Sequence, residues 1–486
     1  MPRPSSGFVA AAAILCGIAL LSARPSAFDL SRFDRGASIM MLRQIKSDLK
    51  ANYYDRTFHG VDIDAVFARA EQRVREAQSL SDAMTAISAA VLELRDSHTI
   101  FFPPERITRI RYGWRAAIIG YLPFVVSVTP GSDAQAKGLD VGDRLLQWNG
   151  AVPDRASLRR LWYTYRFVAP QVVHHLLVEK PGGETRRIDV SAALSTRPPA
   201  QEPGVLLDDL AAAFSADEPD RDTEIGGSVV WQLHSFTDRT PIDRVVRKAA
   251  DTGALVIDVR GNGGGSIRAM LSLLSRLFVS DVHVATVHTR GGTDRLVAKG
   301  RRNAFTGPVA VLVDSGTGSA SEIAARVIQI ERRGVVIGDR TAGAVMTSRV
   351  FPHTTGIHSV AFYADSITVG DVRMGDGASL EGSGVVPDEV VLPSASDLAA
   401  GRDPALARAL AVLTSAPDRG TGGDRGTQGA ARHPAQIAAL KCRATQTARF
   451  SAAICGSSRQ LRLHRRRWGA AASHRTARPS CRRSTS

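Results

Sequence analysis

Residues 28 to 414 contain no cysteine; the four in the chain are Cys16 near its start and Cys442, Cys455 and Cys481 near its end. Cysteine catalysis, a disulfide framework and a thiolate metal site are thereby excluded from the body. Lysine is missing between Lys299 and Lys441, and no acidic residue follows Asp424. The apolar run from Phe8 to Leu21 is short for a membrane span. With one Arg ahead of it and small residues at Ala23 and Ala27, it fits the h-region of a secretory signal peptide over residues 1–27, an uncleaved anchor being the rival reading. Cys16 follows Leu15, whereas a lipoprotein signal wants a small residue there, so lipidation is not expected. The expected location is outside the cytoplasm, periplasmic or extracellular.

The net charge of +15 is unevenly placed. Residues 415–486 hold 15 Lys and Arg against two Asp, so the rest of the chain is nearly neutral. This basic, low-complexity tail has little apolar periodicity and is expected to be disordered. It reads either as an arm for anionic surfaces or as a dispensable extension, and the neutral body argues against a specific nucleic-acid partner. With 486 residues and 44% hydrophobic content, there is material for two or three packed domains.

The body divides into three. Residues 37–108 form a helical cap: IMMLRQIKSDLKANYY, VDIDAVFARAEQRVREAQ and LSDAMTAISAAVLELRDS each space apolar residues three and four apart without internal proline. Ser81 is the expected N-cap of the third helix. Residues 113–193 read as short strands, with PGG as a hairpin turn between two of them. There VTPGSDAQAKGLDVGDRLLQWNG resembles a PDZ domain in its order of strand, short helix, GL..GD, strand and NG turn. That resemblance implies docking of an extended peptide as an added strand. The loop WRAAIIGYLPF lacks a clear Gly-aliphatic-Gly-aliphatic pattern, so capture of a C-terminal carboxylate is implied less. Residues 224–410 alternate strands and helices, giving an α/β core.

Two glycine-rich strand-to-helix turns lie in that core. RGNGGGS lacks the Lys-Ser/Thr of a P-loop and the GxGxxG spacing of a dinucleotide site. Glycines there let backbone N–H groups face a cleft unobstructed by Cβ atoms, which suits a developing oxyanion. The second turn, DSGTGSASEIAARVIQ, offers Ser315, Ser319 and Ser321. A serine at a helix start has its Oγ near free N–H groups and the positive dipole end. The bland reading of Ser319 is an ordinary helix N-cap.

LVIDVRGNGGG, then GSASEIAARVIQ, VVIGDRTAG and LEGSGVVPDEVV, with SHT and the PDZ-like insert ahead of them, resemble the S41 serine peptidases, the carboxy-terminal processing and tricorn-type enzymes. The resemblance covers residues 37–410 and implies a multidomain α/β protein: helical cap, PDZ-like β-rich domain and crotonase-like α/β core. It implies Ser319 as nucleophile. The processing branch supplies a lysine base 25 residues downstream, but Ala344 stands there. The tricorn-type branch implies His98 as base, with Ser97 beside it and Glu381 as orienter; Asp96 is a rival orienter. The backbone of Gly263, Gly264 and Gly265 with the N–H of Ala320 would form the oxyanion hole. No metal and no cofactor are expected, and the partner is an extended polypeptide substrate. The function implied is a secreted or periplasmic serine endopeptidase; the alternative is a non-catalytic peptide-binding protein of the same fold.

Overall fold

The computed structural model describes residues 30–415 except 105–107, 197–219, 238 and 356–360. The expected signal segment and all but the first residue of the basic tail lie outside the described residues.

Three helices come first: α1 (Arg32–Asn52), α2 (Ile63–Glu76) and α3 (Leu80–Leu92). Each starts on a side-chain oxygen that accepts a first-turn N–H: Ser31 for α1, Asp62 for α2 and Ser79 for α3. The cap of α3 is therefore Ser79 and not Ser81. Ser79 Oγ accepts the Asp82 N–H at 3.1 Å while the Asp82 carboxylate accepts the Ser79 N–H at 2.9 Å. Two reciprocal bonds favour this start over one two residues later. On α1, Met41, Leu42, Ile45 and Leu49 share one buried stripe, packing with α2, α3, Phe101, Tyr363 and Ile367.

Strands β1 (Ile100–Phe102) and β2 (Thr108–Arg111) lead into a five-stranded antiparallel sheet. Its strands, in spatial order, are β3 (Trp114–Ile119), β4 (Leu122–Val128), β5 (Arg144–Trp148), β6 (Val173–Glu179) and β7 (Thr185–Ser191). Short helices α4 (Asp133–Ala136) and α5 (Leu158–Tyr163) flank β5, and the PGG turn joins β6 to β7. The sheet has its own core around Trp114, Leu145, Trp148 and Val178. After it, β8 (Ala193–Thr196) pairs with β2.

The remainder builds two further sheets from β9 (Arg221–Ile225), β10 (Ser228–Gln232), α6 (Ile242–Thr252), β11 (Ala254–Asp258), α7 (Ile267–Leu277), β12 (Val282–Thr289), β13 (Gly292–Ala298), β14 (Val309–Val313), α8 (Ala320–Ile330), β15 (Val335–Gly338), β16 (Met346–Thr355), β17 (Ala361–Met374), β18 (Glu389–Val390), α9 (Ala395–Ala399) and α10 (Pro404–Ser415). One sheet runs β18-β15-β14-β11-β10-β9, parallel except for β9. Its central strands ALVID and VAVLV are buried on both faces, as parallel strands between helices must be. Alternate residues divide accordingly: Leu255, Ile257 and Val311 pack with α6, α7 and α8, while Val256, Ala310 and Leu312 pack with Ala405, Ala409 and Leu413 of α10. The other sheet is antiparallel, ordered β1-β17-β12-β13 with β16 also on β17. The 14-residue β17 thus joins the strand that follows the helices to the sheet that backs the core.

Candidate active site

Past Val313 the chain turns through Asp314–Gly318 into α8. Asp314 Oδ1 accepts the N–H groups of Gly316 at 2.9 Å and Thr317 at 3.0 Å, and across the gap that of Gly261 at 2.8 Å. The Thr317 hydroxyl donates to the Val259 carbonyl at 2.8 Å and the Gly318 N–H to the Asn262 carbonyl at 2.9 Å. The turns after β11 and β14 are therefore locked to each other. Burial raises the proton affinity of the Asp314 carboxyl, and these donors oppose it.

Ser319 occupies the N-cap position of α8 with φ +53° and ψ −119°, a conformation that side-chain-bearing residues seldom adopt. Its N–H donates to the Ala344 carbonyl at 2.9 Å and the Glu322 carboxylate at 3.0 Å. Glu322 is fully buried and also accepts the Thr341 hydroxyl at 2.5 Å and the N–H groups of Gly343 and Ala344, both at 2.8 Å. Burial raises its proton affinity; the four donors oppose that. Gly264 packs against this turn so closely that a Cβ there would lie 2.6 Å from Ser319 Cβ.

His98 Nε2 lies 3.3 Å from Ser319 Oγ. Its Nδ1 lies 2.7 Å from Ser97 Oγ, which in turn donates to Glu381 Oε2 at 2.9 Å. Glu381 also accepts the N–H groups of Ser97 and Val345, both at 2.8 Å. Because the Ser97 proton is committed to a carboxylate, Ser97 Oγ is left to accept from Nδ1–H. His98 Nε2 then presents its lone pair to Ser319. Asp96 touches the backbone instead: its Oδ1 accepts the N–H of His98 at 2.9 Å and of Thr99 at 2.6 Å, and the Thr368 hydroxyl at 2.7 Å. Tyr53 donates to its other oxygen at 2.9 Å. The β1 end of the helical layer is so fixed on β17.

Burial, then the positive Arg159, pull the imidazole of His98 down to about 4, against the opposing pull of Asp96. Arg159 comes from α5 and lines the same cleft. Crowding by protein atoms lowers its own proton affinity, against the opposing pull of Glu322 and Glu381. Among the described residues it makes no hydrogen bond or ion pair. The cleft holds about 1140 Å³ and is lined by Ser97, His98 and Ser319, by Gly263 and Gly265, and by the edge strand β3.

The fold brings Ser97, His98, Ser319 and Glu381 into one chain of contacts although 221 residues separate His98 from Ser319. Of the glycine N–H groups, that of Gly264 is committed to Asn262 Oδ1 at 2.8 Å. Ser315 donates to the Ile118 carbonyl at 2.6 Å, and Ser321 is buried within α8. Ala344 is buried beside the turn and serves it through its backbone. Sequence reasoning missed Glu322, Asp314 and Arg159. Glu322 stands three residues past a helix-capping serine, which is a capping-box signature; nothing local marks Arg159, which lies on α5, far from the glycine turns in sequence.

Residues 230–391 match the family model for Peptidase family S41. The chain is 26% identical over 355 residues to the chloroplastic C-terminal processing peptidase of Tetradesmus obliquus, covering 69% of this chain and 73% of that one. It is 29% identical over 162 residues to the carboxyl-terminal-processing protease of Synechocystis sp., covering 33% of this chain and 36% of that one. The crystal structure of mature CPAF shares the fold, with a TM-score of 0.58 at 15% identity over 78% of this chain and 97% of that one. These matches define the class as a serine-type peptidase. More particularly, the chain carries a domain of peptidase family S41. Among the described residues no helix is long and apolar enough to cross a membrane.

Proposed function

We propose that the protein is an exported serine endopeptidase in which Ser319 forms an acyl-enzyme and His98 is the general base. The observation that carries this is the unbroken series Glu381, Ser97, His98, Ser319, with the imidazole tautomer set by its partners. Ser319 Oγ attacks the scissile carbonyl carbon and its proton passes to His98 Nε2. The oxyanion so formed is met by the N–H groups of Gly263 and Ala320, the Gly264 N–H being engaged by Asn262. His98 then protonates the leaving amine as the C–N bond breaks. Water attacks the ester, gives its proton to His98, and the Ser319 oxygen leaves and recovers it. Glu381 acts through Ser97 as a positioning residue.

The substrate lies extended in the cleft. Edge strand β3 borders the cleft, which supports main-chain pairing with a peptide and agrees with the PDZ-like sequence of this sheet. Ala344 favours the non-catalytic alternative only where a lysine must be the base, and His98 removes that need. The reading as an exported protein rests on residues 1–27.

Incubation of the full chain with a fluorophosphonate, followed by peptide mapping, tests this reading. The expected adduct is on Ser319 alone, absent in Ser319→Ala and formed far more slowly in His98→Ala. An inert wild-type protein that also leaves unstructured polypeptides intact would sink it.

A depressed imidazole predicts the pH profile as well. The base must be neutral, so kcat/KM should rise as pH climbs through about 4 and be fully developed at neutrality. Arg159 disfavours the imidazolium, so Arg159→Gln should move this acid limb upward. A limb that stays in place or moves down would contradict the assignment.

A further inference from the structure

Asp48 of α1, His353 of β16 and Asp365 of β17 converge where the helices pack on the antiparallel sheet, apart from the groups that act on Ser319. One ligand-capable atom from each lies within 4.8 Å of the others. His353 Nε2 is 3.1 Å from Asp48 Oδ2 and 2.8 Å from Asp365 Oδ1. The surroundings are apolar: Ile45 and Leu49 flank Asp48 on α1, and Tyr363 and Ile367 flank Asp365 on the same face of β17.

An isolated carboxylate in such a core is costly unless it is paired, protonated or bound to a metal. The Asp365 side chain is 1% exposed, and its Oδ2 has no hydrogen-bond partner among the described residues. The fold has thus placed a buried acceptor with lone pairs to spare beside two other donors.

We propose that Asp48, His353 and Asp365 bind one divalent transition-metal ion, Zn²⁺ by ligand preference, which clamps α1 to the β16–β17 hairpin. Tetrahedral zinc with bonds of about 2.0–2.2 Å sets its ligand atoms about 3.4 Å apart. The two separations to His353 Nε2, 2.8 and 3.1 Å, would widen by about 0.6 and 0.3 Å to reach that spacing, and the two carboxylate oxygens lie within 4.8 Å of each other. The imidazole nitrogen argues against Mg²⁺ and Ca²⁺, which take oxygen ligands. Water completes the fourth position. On binding, His353 is a neutral ligand: the metal takes the lone pair of Nε2 and the single ring proton sits on Nδ1. The shells around the ligands are in place: Gln44 Nε2 donates to Asp48 Oδ2 at 3.0 Å, and the Tyr363 ring packs on His353 with centroids 4.9 Å apart.

The test uses the full chain, stripped with a chelator and titrated with Zn²⁺, and separately with Mn²⁺, by calorimetry and thermal melting. Wild type should take up one equivalent more of Zn²⁺ than Asp365→Asn or His353→Gln, and its Tm should rise by several degrees where theirs do not. Histidines elsewhere and the tail cysteines form a background common to all three proteins. Asp48→Asn, at a partly exposed position, gives the same comparison should either variant fail to fold. Equal stoichiometry and equal melting shifts in wild type and variants overturn the proposal. So does a stripped wild type whose Tm neither metal moves.

Discussion

Replacing His98 by alanine is expected to lower kcat/KM on an unstructured polypeptide by on the order of 10⁴-fold, with little change in KM. The reason is geometric. Ser319 Oγ has His98 Nε2 at 3.3 Å, and among the described residues no other basic side chain is hydrogen-bonded to that hydroxyl. Among the described residues no lysine lines the cleft, and none occurs in the sequence between Lys299 and Lys441. Ser319→Ala should be at least as damaging, and the double variant no worse than the worse single one, because the two groups act in one step. Steady-state kinetics on the three variants decides this. Losses that multiply would mean that His98 works independently of Ser319.

The second large effect belongs to a side chain that touches no substrate. Glu322→Gln should reduce the rate of fluorophosphonate labelling by about a hundredfold or more and lower stability by roughly 2–4 kcal/mol. The carboxylate accepts four donors, with Ser319 and Ala344 N–H on Oε2 and the Thr341 hydroxyl and Gly343 N–H on Oε1. A glutamine has one such oxygen, so its amide group must face two N–H groups or a hydroxyl and an N–H. Those donors fix the strained backbone of Ser319, and a shift of a few tenths of an ångström there moves Oγ away from the imidazole. Labelling kinetics and thermal melting measured together separate the two consequences. A variant that labels and melts like wild type would show that the turn holds without this buried anion.

Much of this site could be read from the sequence because its signals are local. Helical periodicity gave α1 to α3, double-sided burial gave β11 and β14, and the glycine turns gave the two loops around Ser319. The placement of the α3 cap failed by two residues because Ser79 and Ser81 have the same chemistry, and only the reciprocal bonds with Asp82 choose between them. Long-range pairing was not legible. Nothing near Ile100 announces that β1 pairs with Ser366 to Ala364 of β17, nor that Thr368 will fasten Asp96 and with it the backbone of His98. Arg159 likewise reaches the cleft only through the docking of a separate sheet, so its effect on the imidazole has no sequence signature.

That division of labour has a chemical consequence. Ser319 caps the helix that follows a parallel strand, while His98 stands just ahead of β1, which pairs with β17 in an antiparallel sheet. Glu381 arrives only after β17 is complete. A nascent or partly opened chain therefore holds an ordinary alcohol and an ordinary imidazole, neither a reagent toward amides. On the reading proposed above, reactivity would depend on the two sheets closing on each other, because only then does His98 Nε2 come within 3.3 Å of Ser319 Oγ.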